Sequence, residues 1–309
     1  MNLYDMLITR PLGFLINFIY GIFQDYGLAI IFFTLIIKLI ILPLNIKSQK
    51  AMRKQQKIQP YINELQKKYA NDKEKLQKEM MKVYKDNDVS MMGGCLPMLI
   101  QLPILFSLYH VIQRPITYLA NASIDDIAAK VTTIIEKFPD VVGEVTMDAV
   151  MLAKNSQIQI STWCSKIGGE FSDWVFDFNF FGLDISQQPQ AALSPLMKGD
   201  FSNMSLILLI IIPVLAVLTT MLSTKVTQSQ NKNNNNEQME STMGTMNLIM
   251  PLMTGWFTFI LPAGMGLYWI ISNIFQIGQQ LALNYYFDKK GDDSDVKLPE
   301  NNRKKGKKR

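Results

Sequence analysis

A single histidine and two cysteines in 309 residues leave little room for side-chain catalysis. That scarcity excludes zinc sites built from His and Cys, CxxC redox pairs and most nucleophile–histidine arrangements. Charge is scarce as well. Charged residues are 18% of the chain, against roughly a quarter in an ordinary soluble protein, and they crowd into a few blocks. The long apolar runs between those blocks contain no aspartate or glutamate. The chain reads as a membrane protein and not as an enzyme.

A hydrocarbon core of about 30 Å is crossed by about 20 apolar helical residues, with a range of about 17–25. Four stretches qualify: 28–44, broken by Lys38; 95–113, holding Pro97 and Pro103; 204–223, around Pro213; and 246–284. The last is too long for one crossing, and Leu261-Pro262-Ala263-Gly264 predicts two antiparallel helices joined by a short turn. Five spans result. Residues 11–23 are a shorter apolar segment, with Leu12, Leu15, Ile16, Ile19, Ile22 and Phe23 on one helical face and Gly13, Asn17, Tyr20 and Gln24 on the other. That pattern predicts an amphipathic helix lying in the interface, with an additional first span as the alternative. No basic n-region or A-x-A site precedes the first strong span and no lipobox cysteine is present, which argues against a cleaved signal peptide.

Basic residues set the expected orientation. The stretch 45–92 holds twelve bases and six acids, and the tail from Asp288 holds nine bases and five acids. The stretch 120–203 holds five lysines against eleven acids. Counting Lys and Arg near span ends places 45–92 and the tail in the cytosol and 120–203 outside. The expected organisation is an all-α polytopic protein with nine parts. These are an N-terminal interfacial helix (1–26), a first span (27–44), a cytoplasmic helical hairpin (45–92) and a second span (93–119). An extracytoplasmic segment (120–203), a third span (204–224), a cytoplasmic loop (225–245), the fourth and fifth spans (246–285) and a basic cytoplasmic tail (286–309) follow. The N-terminus is outside and the C-terminus inside. Cys95 and Cys164 then lie on opposite sides of the bilayer and cannot pair.

Within the hairpin, Ile58, Ile62, Leu65 and Tyr69 recur at helical spacing, as do Leu76, Met80, Val83 and Tyr84. Asn71-Asp72 supplies a turn and a cap for the second helix, and Pro60 is expected to bend or restart the first. Its lysines either solvate an exposed hairpin or contact ribosome, lipid headgroups or nascent chain. The run Asn301 to Arg309, with six bases, suits ribosomal RNA or anionic lipid, or a solvated tail that fixes topology. Methionines at 52, 80, 81, 91, 92 and 98, and at 239, 243, 246, 250 and 253, either fill packing gaps or form an adaptable landing surface.

Lys38 carries the sharpest signal. It lies six residues before Leu44, roughly 9 Å along the axis at ~1.5 Å per residue. A charge at that depth costs several kcal/mol by insertion scales and normally faces a polar cavity, with snorkelling toward the cytosol as the plainer alternative. Other polar residues appear within the spans: Thr34 one turn before Lys38, Gln101, Thr219, Thr220, Asn273 and Gln276. With no carboxylate in any span, the lysine is suited to an acidic group arriving from elsewhere.

Several stretches resemble the YidC/Oxa/Alb family of membrane protein insertases. GLAIIFFTLIIKLIILPL followed by KSQKAMRKQQKIQP resembles its first core span and hairpin entry. LQKEMMKVYKDNDVSMMGGCLPMLIQLPILFSLYHVI resembles the hairpin exit and second core span, and IMPLMTGWFTFILPAGMGLYWIISNIFQIGQQ the terminal span pair. Together these cover about residues 11–119 and 204–285, while 120–203 matches no family motif. The resemblance implies an insertase and chaperone in a bacterial plasma membrane, with a water-filled groove open to the cytosol and no cofactor. It implies nascent membrane proteins, the ribosome and the lipid bilayer as partners, and admits the Sec translocon. Lys38 stands where the family usually has arginine, and lysine cannot make arginine's planar bidentate contact with a carboxylate. Thr34 and Trp269 match groove or substrate-contact positions, and Gln101, Asn273 and Gln276 complete the candidate set. First and fourth spans of about 17 and 16 residues are expected to thin the bilayer locally. The rival reading, a small-solute transporter or channel, calls for inverted repeats and intramembrane acids. A membrane enzyme calls for a partner to His110, the only histidine.

Overall fold

The computed structural model describes residues 3–89, 96–228 and 237–290. The Gly93-Gly94-Cys95 element, Met91, Met92 and the basic run 301–309 lie outside the described residues, as do the side chains of Met98, Met239, Met243 and Met246. The fold is that of a mostly helical membrane protein, and the chain divides into two compact units. One comprises Met1–Ile37, Gln101–Thr220 and Pro251–Ser272; the other comprises Lys38–Ile100, Met221–Met250 and Asn273–Arg309. Among the described residues, three helices are long and apolar enough to cross a membrane: Asp5–Phe23, Tyr26–Lys68 and Met204–Thr227.

The first unit opens on α1 (Arg10–Phe23), preceded without a break by a wider turn at Asp5–Thr9. The helical segment is thus 19 residues long. Shortness, one ground for reading it as interfacial, does not hold. Its faces also fall differently from the expected pattern. Gly13, Ile16 and Ile19 turn inward, while Leu7, Phe14, Phe18 and Ile22 are exposed. Thr9 and Tyr4 meet Ser107 of α4 (Leu96–Gln113) through their hydroxyls at 3.2 and 2.9 Å, and Tyr4 also donates to the Pro103 carbonyl at 2.6 Å. A short α5 (Pro115–Tyr118) follows, and the Tyr118 hydroxyl donates to Asp5 at 2.7 Å.

The stretch with no family motif folds as a small helical body. Its elements are α6 (Ile124–Lys137), α7 (Pro139–Val142), α8 (Ala149–Asn155) and α9 (Gln157–Ile167). On α6 the spacing of Ile127, Val131 and Ile134 puts all three on one buried face, and Ser123 caps the start by accepting from Asp126 N at 3.1 Å. These side chains share a core with Leu152, Ile160 and Trp163. Gln157 is fully buried and fully used: it accepts from Thr117 N and donates to the Thr117 hydroxyl and the Ala153 carbonyl. Cys164 sits in this core as a free thiol, and burial pushes its pKa up to about 11.

The expected all-α fold needs one addition, a two-stranded antiparallel ribbon of β1 (Asn179–Phe180) and β2 (Leu183–Asp184). Phe181 and Gly182 form its turn, both with positive φ. The approach to the ribbon is aromatic: Phe176 packs on Tyr20, Phe178 on Tyr26, and the Phe180 ring fills the space a side chain at Gly27 would need. Beyond the ribbon come α10 (Leu193–Lys198), α11 (Met204–Leu208) and α12 (Ile211–Gln228). Pro213 falls in the first turn of α12, where a missing N–H does little harm, and the helix steps at Leu209 and Ile210 just before it. The break at Leu261 and Pro262 separates α13 (Glu237–Ile260) from α14 (Ala263–Lys290).

The second unit centres on the latter part of α2 (Tyr26–Lys68) and α3 (Lys73–Asp86). These pack through Ile58, Ile62, Leu65, Val83, Tyr84 and Val89. Asp72 caps α3 by accepting from Lys75 N at 3.0 Å. Of the bend or restart expected at Pro60, the restart does not occur: α2 is one helix of 43 residues running through both Pro43 and Pro60. A proline inside a helix costs about 3 kcal/mol. Burial of Ile58 and Ile62 on either side of Pro60 is of the size that offsets it, at about 1.5–3 kcal/mol per side chain.

Candidate functional site

Thr34 and Lys38 are successive turns of α2, and both are buried, at 0% and 9% exposure. Leu39 and Ile40 beside the lysine are exposed, whereas Thr34 and Lys38 are buried on a side of the helix that also holds Ile30, Phe33 and Ile37. The Thr34 hydroxyl donates to the Ile30 carbonyl at 2.6 Å. A threonine bonded back to its own helix presents a polar atom without a desolvation penalty.

Of the six sequence-derived residues, Thr34, Gln101 and Trp269 belong to the first unit, and Lys38, Asn273 and Gln276 to the second. In the first unit, Gln101 of α4 donates through Nε2 to the hydroxyl of Tyr268 on α14. Tyr268 is 1% exposed, so this pair ties two helices together through a satisfied buried contact. Trp269 stacks on Phe257 of α13 with rings nearly parallel, 8° apart, and centroids at 6.5 Å. Thr258 is fully buried and donates to the Thr254 carbonyl at 2.7 Å. Tyr268 was missed at the sequence level. Its hydroxyl gives it the polar role, as the acceptor for Gln101.

In the second unit Asn273 is buried on α14, whereas Gln276 is exposed. The buried glutamine is Gln280, which donates to Asn284 Oδ1 at 2.8 Å. Asn284 Oδ1 also accepts from Arg53 Nη2 at 3.1 Å, and the Arg53 guanidinium lies 4.4 Å over the Phe287 ring. A polar seam at 273, 280 and 284 thus leads along α14 to the hairpin arm of α2. The spacing of seven and four marks one helical face and could have found it.

The chemistry open to these groups is recognition. No cluster of three metal-ligating side chains occurs among the described residues. His110 is engaged with the carbonyl of Phe106, one turn back, at 2.8 Å.

The family described as "60Kd inner membrane protein" matches residues 18–290, most of the chain. Proteins named "Membrane protein insertase YidC" are similar over shorter stretches. That of Clostridium perfringens is 51% identical over 111 residues, 36% of this chain and 47% of its own length. That of Oceanobacillus iheyensis is 42% identical over 118 residues, 37% of this chain and 47% of its own. That of Syntrophus aciditrophicus is 39% identical over 160 residues, 47% of this chain and 29% of its own. The chain therefore spans about half the length, or less, of these curated relatives.

Proposed function

The chain belongs to the 60Kd inner membrane protein family, and from that premise we propose that it is a membrane protein insertase and chaperone. The observation that carries the reading is Lys38, a lysine only 9% exposed on a helix apolar enough to cross a membrane. Holding a charge at that depth costs about 2.5–3.5 kcal/mol by insertion scales, so it persists where it has work to do. Its work here is to attract acidic residues flanking an incoming apolar segment. Two unit charges 4 Å apart at an effective dielectric constant near 20 interact by roughly 4 kcal/mol, part of which desolvation of the carboxylate removes. Thr34, Gln101, Trp269, Asn273 and the exposed Gln276 are assigned as further substrate contacts. The scheme needs no covalent step and no cofactor.

Five spans with the N-terminus outside and the C-terminus in the cytosol accompany this reading. The hairpin of α2 and α3 then faces the cytosol, where ribosome, lipid headgroups and nascent chain are its partners, and the reading admits the Sec translocon beside the protein. The helix formed by residues 5–23 lies in the outer leaflet. In support, Tyr4 just before it donates to the Pro103 carbonyl of α4, ten residues or about 15 Å from the end at Gln113, which is half of an apolar core of about 30 Å.

Insertion of a small single-span substrate with an acidic outer tail, into liposomes holding this protein alone, tests the proposal. Lys38→Arg should keep the wild-type rate. Lys38→Glu should slow the acidic substrate by tenfold or more, equivalent to about 1.4 kcal/mol, while a version with a neutralised tail is spared. Normal insertion of the acidic substrate by Lys38→Glu would refute electrostatic capture.

A further inference from the structure

We propose that the segment from the β ribbon to the start of α11 is a membrane anchor, whose exposed apolar side chains insert into the leaflet at the ends of the neighbouring spans. Phe181 is 90% exposed and Met197 79%, with Leu193, Leu196 and Phe201 exposed between and beside them. Single exposed apolar residues are ordinary on protein surfaces; a contiguous set on one connection is not.

Two attachments fix the level of this segment, both within the first unit. Just after the ribbon, the carbonyls of Ile185 and Gln187 accept from Gly264 N and Ala263 N, each at 2.8 Å. Those amides open α14 at the turn between two apolar helices, so the ribbon is held where helices leave the bilayer. On its other side the Phe180 ring lies against Gly27 at the start of α2. The exposed set then runs on into a spanning helix. Leu193, Met197, Phe201, Met204, Leu208 and Ile211 follow one another at intervals of three or four residues and are all exposed. The last three belong to the Met204–Thr227 helix, whose outward side chains meet lipid. The connection thus carries exposed apolar side chains up to the start of a helix with a lipid-facing side, and the occupant they fit is the same bilayer.

The turn supplies a second line of argument. Phe181 has φ of +51°, a region that bulky side chains avoid, and its ring, although edge-on to Phe180 at 4.6 Å, is 90% exposed. Strain held at an exposed aromatic points to a contact outside the chain. The two acids on this segment are both hydrogen-bonded within the chain: Asp184 accepts from Ser186 N, the Ser186 hydroxyl and Gln187 Nε2, and the exposed Asp200 accepts from Ser202 N at 3.0 Å. Lys198, exposed at the end of α10, can lay its stem along the interface and raise its ammonium to a lipid phosphate. The inference rests on membrane embedding and not on insertase activity, so either can fail without the other.

Spin labels test it in the full-length chain reconstituted into phosphatidylcholine–phosphatidylglycerol vesicles. Cys95 is replaced by alanine, and Cys164, buried in its core, is left in place. Labels at Phe181→Cys and Met197→Cys are compared with one at Glu144→Cys, an exposed site in the helical body. Labels at 181 and 197 should relax readily with oxygen and poorly with a water-soluble nickel chelate, as lipid-immersed labels do, while 144 shows the reverse. Nickel access at 181 and 197 equal to that at 144 would overturn the proposal. So would exclusion of both reagents, which would mean that protein covers the patch.

Discussion

Gly266 sits on α14 facing Ile212 of α12, and a Cβ there would overlap the Ile212 Cγ2 methyl. That methyl hangs directly on a branched β carbon and has no soft rotation by which to withdraw. Gly266→Ala therefore brings two opposed effects. Removing glycine from a helix interior gains about 0.5–1 kcal/mol, and overpacking a close contact loses about 1–3 kcal/mol. The balance is destabilising, by up to about 2 kcal/mol. Gly278 on the same helix has no atom within 4 Å of the corresponding position, so Gly278→Ala keeps only the gain. The two substitutions should move the thermal midpoint in opposite directions, read by intrinsic fluorescence in detergent micelles. Ile212→Ala removes the obstructing methyl, and the double variant Gly266→Ala/Ile212→Ala should be more stable than the sum of the single losses. The coupling expected from contacting residues is about 0.5–3 kcal/mol. Equal stability of Gly266→Ala and Gly278→Ala would show that helices α12 and α14 do not approach as described.

Arg53→Ala should loosen the α2 arm against α14, removing a charge-assisted hydrogen bond to Asn284 and the stacking on Phe287. A coupling of about 1–2 kcal/mol is expected in the cycle with Asn284→Ala, and faster amide exchange over 45–60 should accompany it. Arg53→Lys, which keeps the charge but not the planar fork, should restore only part of the protection. Cys164 should resist alkylation in the folded protein at neutral pH, since burial disfavours its thiolate. Its folded pKa is raised from 9.0 to about 11, so its contribution to stability is complete below pH 9 and lost as pH rises through 11. Cys164→Ala should lack that alkaline loss in denaturation curves, and identical curves from pH 8 to 11 would contradict it.

Local patterns in the sequence proved legible wherever one helix face decided the outcome. Ile58, Ile62 and Leu65 recur at helical spacing and are buried, Asp72 caps α3, and Pro262 lies between two helices. The misreadings all concern effects that a local window cannot contain. Pro60 looks like a break because its local cost is certain, whereas the burial that outweighs it comes from α3, distant in sequence. Three glutamines at 276, 279 and 280 are equivalent as residue types; packing chooses Gln280 as the buried one. The stretch 120–203 carries helical spacing and a capping residue at Ser123 but no motif legible in the sequence alone, although the family match at residues 18–290 runs across it. Its core joins residues as far apart as Ile116 and Trp174, and nothing local announces that pairing.

The polar groups of the apolar helices fall into two kinds, and the difference bears on what each can do. Thr34, Thr220 and Thr258 bond back to carbonyls of their own helix, at 2.6, 2.7 and 2.7 Å. With no water in a hydrocarbon core, such groups are tolerated because they carry their own partner. Gln101 with Tyr268, and Arg53 with Asn284, instead join separate helices, one pair in each unit. Both end on α14, whose first amides are in turn held by the carbonyls of Ile185 and Gln187. Within the first unit the start of α14 is therefore held in rotation and register at Ala263, Gly264 and Tyr268. A one-residue insertion between Gly264 and Tyr268 would rotate the tyrosine by about 100°, as 3.6 residues per turn require, and could not satisfy both attachments.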